Sequence, residues 1–458
     1  MMSDHATTII ACATPPGRGG VAVIRLSGPQ SLDIATKLVK KTLSPRLATC
    51  VSFYDAQGEV IDSGLAIYFQ GPASYTGEDV VELHGHGSPT VVALIIEAAR
   101  HYGAELAGPG AFTQRAFLQG KMDLFQAEAV ASLIDAESAM AAKAAVRSLQ
   151  GVFSEAVHQL VAALTQVRVW VEASIDFSEA DIDHESQRAI NQQIAQLLTE
   201  LKPLIVRTQQ GKKLSEGLRV VLAGPTNAGK STLYNYFTGE EDAIVTAEAG
   251  TTRDVLKQGV RLGTSGVMIE LLDTAGIRDT EGMVEKIGIA RSKQHIAEAD
   301  RIILLLSAGT YEEGDFARFC NKSLNFSGLG DNMCVVLNQC DSHPTVRSSE
   351  LEAHPMGFYI SAKTGQGVEA LIKALAQHCQ KDLGASETAF IARARHVEAL
   401  RRAEAALQSA WDNSQQGGGI EISAEYLRIA QDALGQITGE MTSDDLLGEI
   451  FGAFCIGK

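Results

Sequence analysis

Residues 218–238, LRVVLAGPTNAGKSTLYNYFT, set a glycine-rich loop between a run of strand formers and a helix-forming stretch. The loop from Gly224 to Ser231 matches G-x-x-x-x-G-K-[ST], in the strand-loop-helix setting that this pattern needs to cradle a phosphate. Glycine lets backbone N–H groups close around an anion without a Cβ in the way. The helix that follows adds the partial positive charge of its N-terminus. Gly224, Asn227, Ala228, Gly229, Lys230, Ser231 and Thr232 are therefore the candidate phosphate-binding residues. Lys230 is placed to reach the β and γ phosphates, and the Ser231 hydroxyl to ligate Mg²⁺. The pattern alone implies a nucleoside triphosphatase and leaves the base open.

The strand-loop-helix unit opens an alternating stretch. LRVVLAG, VMIELLD, RIILLLSAG, MCVVLNQ and GFYIS are apolar runs separated by helical stretches, which predicts a parallel sheet covered on both faces. On either side the texture is different. Residues 121–175 and 187–209 are rich in Ala, Leu, Val, Glu and Gln with apolar residues at three-four spacing, and residues 390–440 return to that style, broken by the glycine triplet at 417–419. Residues 1–120 hold β-rich runs (TTIIACA, VAVIRLS, GLAIYF, DVVELHGHG) punctuated by Gly and Pro, with a helix from Pro89 to Tyr102. At 458 residues the chain is too long for one core. The expected division is an N-terminal α+β domain over 1–120, a helical domain split into 121–217 and 381–458, and an α/β domain inserted over 218–380.

Composition narrows the setting. Apolar residues are 45% and charged residues 21%, ordinary for a globular protein. No apolar run approaches the roughly 20 residues of a membrane span, so no membrane partner is expected. The N-terminal segment lacks the basic-then-apolar order of a secretory signal. The seven cysteines are scattered and without metal-ligand spacing, which suits the reducing cytoplasm. The formal charge of −16 offers composition no argument for nucleic acid, although a local basic patch is compatible with it.

Three further segments point to guanine. Asp273-Thr274-Ala275-Gly276 ends the strand VMIELL, where a carboxylate can hold the metal shell and the Gly276 N–H can face a γ-phosphate. Gly250-Thr251-Thr252-Arg253-Asp254 lies in a polar loop, where a threonine can complete the metal shell only while a γ-phosphate is present. Asn338-Gln339-Cys340-Asp341 ends the strand MCVVL. Asp341 there can accept from guanine N1–H and the exocyclic amine, whereas adenine would leave it unpaired. Ser361-Ala362-Lys363 follows GFYI and supplies an N–H near the base oxygen. The usual form of the first of these base motifs is N-K-x-D, and Gln339 stands where Lys is expected.

With these motifs in order, the chain resembles the tRNA-modifying GTPases called MnmE or TrmE. The likeness runs essentially end to end, through ATPPGRGG-VAVIRLSG, VVELHGHG, PGAFTQRAFLQGKMDLFQAEAV, GTTRD within the inserted Ras-like P-loop G domain, and the terminal CIGK. It implies a homodimer whose GTPase is activated by potassium. The K⁺ ligands map to Asn227, Thr246, Glu248 and Thr251, and Mg²⁺ to Ser231 and Thr252. Thr246, Thr251 and Thr252 thereby join the GTP site, and Glu285 becomes the residue that orients the attacking water. The N-terminal unit resembles a tetrahydrofolate-binding and dimerisation domain, with Arg25, Glu82, Lys121 and Lys458 at the matching positions. The implied one-carbon carrier is 5,10-methylenetetrahydrofolate or 5-formyltetrahydrofolate. The implied partners are tRNA and the flavoprotein MnmG (GidA), in a heterotetramer. Locally the loop departs from the family, reading G-P-T-N for the usual G-R-P-N, with Glu248 at an often apolar position.

Three points stay open on sequence. Cys455 in CIGK is either a reactive thiol beside the folate site or a small packed hydrophobe. His84 and His86 share one strand face without a third ligand nearby, which favours structural roles over a metal. A ribosome-assembly G protein without a modification role, or a folate-binding scaffold with a degraded G domain, are the alternative functions.

Overall fold

The computed structural model of the chain describes residues 7–136, 138–176, 184–239, 257–262, 267–273, 295–321, 329–382, 389–440 and 443–458. They form two compact units, each assembled from separated stretches of sequence.

The first unit comprises Met1–Ala131, Ser148–Leu197 and Arg402–Lys458. Its sheet has six strands: β1 (Ile9–Cys12), β2 (Gly19–Ser27), β3 (Thr49–Tyr54), β4 (Val60–Phe69), β5 (Val80–Gly87) and β6 (Glu105–Leu106), in the order β3-β4-β5-β2-β1-β6. All neighbours are antiparallel except β1 and β6. Alternation along the strands sends Ile24, Leu26, Val81 and Leu83 to one face. There they pack on Ile34, Ala35 and Leu38 of α1 (Ser31–Val39) and on Ile95, Ala98 and Ala99 of α2 (Pro89–His101). The intervening residues Arg25 and Glu82 therefore belong to the opposite face, and they are direct cross-strand partners. Two strands escaped the sequence reading: TCVSFY (β3), and β6, which has only two residues.

The same unit contains α3 (Ala111–Leu118), most of α4 (Leu124–Ile134) and much of the helical sequence that follows. In α6 (Val152–Asp176), preceded by α5 (Ala139–Leu149), the residues Phe153, Val157, Leu160, Leu164, Val167 and Val171 are all buried. This is the three-four stripe of an amphipathic helix. After α7 (His184–Glu216) and the second unit, the chain returns through α12 (Ala394–Gln415), α13 (Ile420–Thr438) and α14 (Asp444–Gly452). Helix α13 packs along α6, and Arg168 Nη1 donates to Gln431 Oε1 across that seam at 2.9 Å. Helix α14 was not expected from the sequence. It brings Ile450 and Phe451, with Phe454 beyond it, onto Leu124 and Ala127 of α4.

The second unit comprises Ser132–Arg147 and Leu198–Arg401. Its sheet contains β7 (Leu218–Ala223), β8 (Lys257–Leu262), β9 (Val267–Asp273), β10 (Arg301–Ser307), β11 (Met333–Asn338) and β12 (Gly357–Tyr359), in the order β12-β11-β10-β7-β9-β8. The sheet is mixed. Five strands run parallel as expected, and β8 adds an antiparallel edge. The β8 sequence KQGVRL lacks the apolar run that betrays its neighbours. The continuous apolar runs are explained by burial on both faces. Val220, Leu222, Ile303, Leu305, Cys334 and Val336 join one core, while Val221, Ala223, Ile302, Leu304, Val335 and Leu337 join the other. Helices α8 (Lys230–Gly239), α9 (Asp315–Phe319) and α10 (Ser349–Ala353) lie between the strands in sequence, and α11 (Val368–Asp382) follows the last of them. Among the described residues no helix is long and apolar enough to cross a membrane.

Candidate functional site

Strand β7 is the switch point of the second sheet: the chain runs from it to β8 and β9 on one side and to β10, β11 and β12 on the other. Open α/β sheets bind ligands at the carboxyl ends of the strands beside such a point. The phosphate loop leaves β7 there. Gly224 has φ +150°, and a Cβ on it would lie 2.1 Å from the Leu305 carbonyl oxygen, so the loop passes directly against β10. Gly229 has φ +93°, with its notional Cβ 2.2 Å from Asn338 Nδ2. Lys230 is 7% exposed, and its Nζ donates to the carbonyls of Gly224 and Pro225, both at 2.8 Å. The ammonium is thus held against the loop that it follows. Ser231 and Thr232 are exposed on the first turn of α8, and Ala228 is buried.

Asn338 ties three of the expected segments together. It is 2% exposed; its Nδ2 donates to the Ala228 carbonyl at 2.9 Å, and its Oδ1 accepts from the Ala362 N–H at 2.9 Å. One side-chain amide, bonded through both its nitrogen and its oxygen, fixes the phosphate loop to the Ser361-Ala362-Lys363 loop. Ser361 and Ala362 are buried and Lys363 is exposed. Asp341 is exposed at the same strand end. A hydrogen bond from the Ser361 hydroxyl, with a weaker one from Ser342, holds its carboxyl below the usual carboxylate range. At neutral pH it is an acceptor-only group, as recognition of guanine's two donors demands.

Gln339 also meets the phosphate loop. Its Nε2 donates to the Asn227 carbonyl at 3.3 Å, and its Oε1 accepts from Ser307 Oγ at 2.5 Å. Gln339 and Asn227 both adopt positive φ, +67° and +62°, an uncommon backbone for residues other than glycine. Sequence reasoning missed Ser307. The available signal was its place as the last residue of β10, whose parallel register partner is Asn338.

Asp273 ends β9 opposite Leu222 of β7, so its backbone lies one strand from the phosphate loop. Thr246, Glu248, Thr251, Thr252, Thr274, Ala275, Gly276 and Glu285 lie outside the described residues.

A Gly229→Ala change puts a methyl where the Asn338 amide sits and forces an L side chain into left-handed backbone. The expected result is a loss of about 2 kcal/mol of stability, from the broken Asn338 bond and the strained loop. Thermal melting of the full chain checks it, and added GDP should raise the melting temperature of the unaltered protein but not of the variant.

In the first unit, Arg25 Nε and Nη2 both donate to Glu82 Oε1, at 3.0 and 2.9 Å. The guanidinium carbon stands 5.1 Å from the Tyr75 ring centroid and 5.6 Å from that of Phe112, at the start of α3. The chain end lies against the same helix. The Phe112 N–H donates to the Lys458 carbonyl at 3.1 Å, the Gly110 N–H to the Cys455 carbonyl at 3.4 Å, and Pro109 bridges Ile456. Gly457, at φ +96°, passes so close to the Cys12 carbonyl that a Cβ would lie 2.1 Å from it. Lys121 Nζ donates to the Pro72 carbonyl at 3.0 Å, and its side chain covers Gly77. The fold thus joins Arg25 directly to Glu82 and places Lys121 and Lys458 beside the loop and helix that carry Tyr75 and Phe112.

The packed-hydrophobe reading of Cys455 is overturned, since this residue is exposed. His84 Nε2 lies 3.3 Å from Glu82 Oε2. His86 meets Asp62 through both its ring Nδ1 and its backbone N–H, at 2.8 Å each.

Comparison with known proteins finds matches to both units of the chain. The profile of the GTP-binding protein TrmE N-terminus matches residues 8–121, and that of the MnmE helical domain matches residues 124–455. The chain is 46% identical over 454 residues to the tRNA modification GTPase MnmE of Stutzerimonas stutzeri, covering 98% of this chain and 99% of that one. It is 47% identical to the protein of the same description from Dichelobacter nodosus, over 98% of this chain and 99% of that one. With the corresponding protein of Chromohalobacter salexigens the identity is 45%, over 98% of each. A phosphate loop at the sheet's switch point, an ionised Asp341 beside it and a match that runs from end to end place this chain in the MnmE family of tRNA modification GTPases.

Proposed function

We propose that the chain hydrolyses GTP in the second unit to drive modification of C5 of the wobble uridine of certain tRNAs, adding an aminomethyl or carboxymethylaminomethyl group. It does so as a homodimer in a heterotetramer with the flavoprotein MnmG (GidA). The observation that carries this reading is the identity of 45–47% over 98% of the chain with tRNA modification GTPases. The N-terminal unit is matched over residues 8–121, and a bare ribosome-assembly G protein has no reason to possess it.

Each residue has a task in this reading. Lys230 neutralises charge on the β and γ phosphates, the N–H groups of Asn227 to Thr232 line the phosphates, and Asp341 selects guanine with Ala362 and Lys363 alongside. Gly224, Asn338 and Ser361 hold those loops in place. Glu285 orients the attacking water, while Thr274, Ala275 and Gly276 follow the γ-phosphate. The exposed Ser231 hydroxyl at a helix N-terminus fits Mg²⁺, with Thr252 and Asp273 completing its shell; Asn227 fits K⁺ together with Thr246, Glu248 and Thr251. When bound, both ions would supply positive charge to the triphosphate, and the K⁺ would take the role that an arginine finger plays in other GTPases.

The N-terminal site fits a folate by its donor set. Arg25, braced by Glu82 over two aromatic rings, offers a cation, a carboxylate and flat apolar surface to a ligand with a pterin ring and an anionic tail. Lys121 and Lys458 add positive charge for the tail, and the exposed Cys455 thiol lies on the same chain end. When bound, 5,10-methylenetetrahydrofolate (or its 5-formyl relative) supplies the one-carbon unit.

The test is mass spectrometry of tRNA wobble nucleosides from cells with and without the gene. The modified uridine should disappear with the gene and return with an intact copy but not with a Lys230→Ala copy. Normal wobble modification in the deletion strain would refute the reading.

A further inference from the structure

We propose that Ser307 is a positioning residue of the nucleotide site, acting through Gln339 to brace the phosphate loop at Asn227. The proposal rests on the reading that this loop takes a guanine nucleotide.

The geometry is a directional relay. The Gly309 N–H donates to Ser307 Oγ at 3.2 Å, Ser307 Oγ donates to Gln339 Oε1 at 2.5 Å, and Gln339 Nε2 donates to the Asn227 carbonyl at 3.3 Å. The polarity follows from the groups themselves. A backbone carbonyl accepts only, so the amide must turn its NH₂ toward Asn227 and its oxygen toward Ser307; the hydroxyl must then donate. A flipped amide would set its oxygen against the Asn227 carbonyl. Ser307 is thus the group that fixes which way Gln339 points.

The relay complements Asn338. Asn338 holds the Ala228 carbonyl and Gln339 holds the preceding one, so two successive peptide planes of the loop are pinned from one strand end. In a trans peptide the N–H lies antiparallel to the carbonyl, so pinning the two carbonyls also fixes the N–H groups of residues 228 and 229. A lysine at position 339 would have no acceptor for the Ser307 hydroxyl. The uncharged pair Ser307 and Gln339 is therefore one device, and loss of either the hydroxyl or the amide alone disables it.

The experiment is titration of the full chain with a fluorescent GDP analogue, with GTP turnover measured on the same variants. Ser307→Ala should weaken nucleotide binding about 5- to 10-fold, the scale of one lost hydrogen bond that orders a second. KM for GTP should rise with kcat changed less than about twofold, because the brace acts on ground and transition states alike. Ser307→Thr keeps the hydroxyl and should keep the affinity. Gln339→Leu should match Ser307→Ala, and the double variant should be no weaker than either, since both remove one relay. Gln339→Lys should also weaken binding, and adding Ser307→Asp should restore it by supplying an acceptor.

Equal binding by Ser307→Ala and the unaltered protein, or additive losses in the double variant, would overturn the proposal while leaving the guanine site intact. Should Ser307→Ala fold poorly, Gln339→Met reads the same relay: it keeps the side-chain length without adding charge and removes the amide that bonds Asn227 and Ser307, and unchanged binding would count against the proposal. If the unaltered protein took up no guanine nucleotide, the reading of the loop would fail and the relay with it.

Discussion

Asp341→Asn is expected to weaken GTP binding about a hundredfold or more and to create affinity for xanthosine triphosphate. Guanine turns two donors, N1–H and the 2-amino group, toward this position. An ionised carboxylate accepts both, whereas an asparagine amide offers one acceptor and sets its own NH₂ against the amine. A site built to pair a polar group discriminates strongly against a partner that leaves it unpaired. Xanthine has an oxygen where guanine has the amine, so the asparagine amide meets it with a donor and an acceptor in register. The mechanism requires Asp341 to be charged, as an exposed carboxylate is at neutral pH, and the Ser361 hydroxyl extends that charge to lower pH by holding the carboxyl below its usual range. A group with a depressed pKa keeps its charge as the solution is acidified and loses it only as pH falls through that lowered value. The Asp341 contribution to GTP affinity should accordingly stay flat from neutral pH down to about 5, above the ordinary Asp value of about 3.9. Competition titrations with GTP, xanthosine triphosphate and ATP across that range measure both effects.

Lys230→Ala is expected to lower kcat for GTP hydrolysis by about 10²- to 10³-fold, the scale found when one preorganised electrostatic group is removed from a site where charge develops. Lys230 is 7% exposed and is held by two carbonyls of its own loop, so its charge is already in place before nucleotide arrives. Lys230→Arg should not restore turnover, because a planar guanidinium fork does not fit a position shaped for a compact ammonium. Multiple-turnover phosphate release measures the loss. A melting temperature close to that of the unaltered chain would show that the loss is catalytic.

The phosphate loop, the base motif and the five parallel strands were readable from residues 218–361 because each rests on local chemistry. Glycines relieve a close approach at Gly224 and Gly229, and apolar runs mark strands buried on both faces. What the sequence hid depends on register or on weak local signal. Strand β8 is an antiparallel edge of mixed composition, β6 has two residues, and α14 holds only nine. The Ser307–Gln339 contact joins residues 32 positions apart. It becomes visible only when β10 and β11 are laid side by side with Ser307 opposite Asn338.

The N-terminal site shows the same division. Resemblance nominated Arg25 and Glu82, but their contact follows from the β2–β5 register, which pairs them directly and turns both away from the helix-covered face. Tyr75 and Phe112 carried no sequence signal as companions of Arg25. The antiparallel bridge between Pro109 and Ile456, which lays the chain end beside α3, is a contact between segments far apart in sequence that no local pattern encodes. The departure at Gln339 reads differently once its partners are seen: the missing lysine is matched by a hydroxyl on the neighbouring strand, and the loop is still held.

The most direct measurement is equilibrium titration of the purified chain with GDP, GTP and ATP in potassium chloride with magnesium. The account predicts saturable binding of one guanine nucleotide per chain, with ATP unable to compete at comparable concentration. Absence of saturable guanine nucleotide binding, or a preference for ATP, would contradict it.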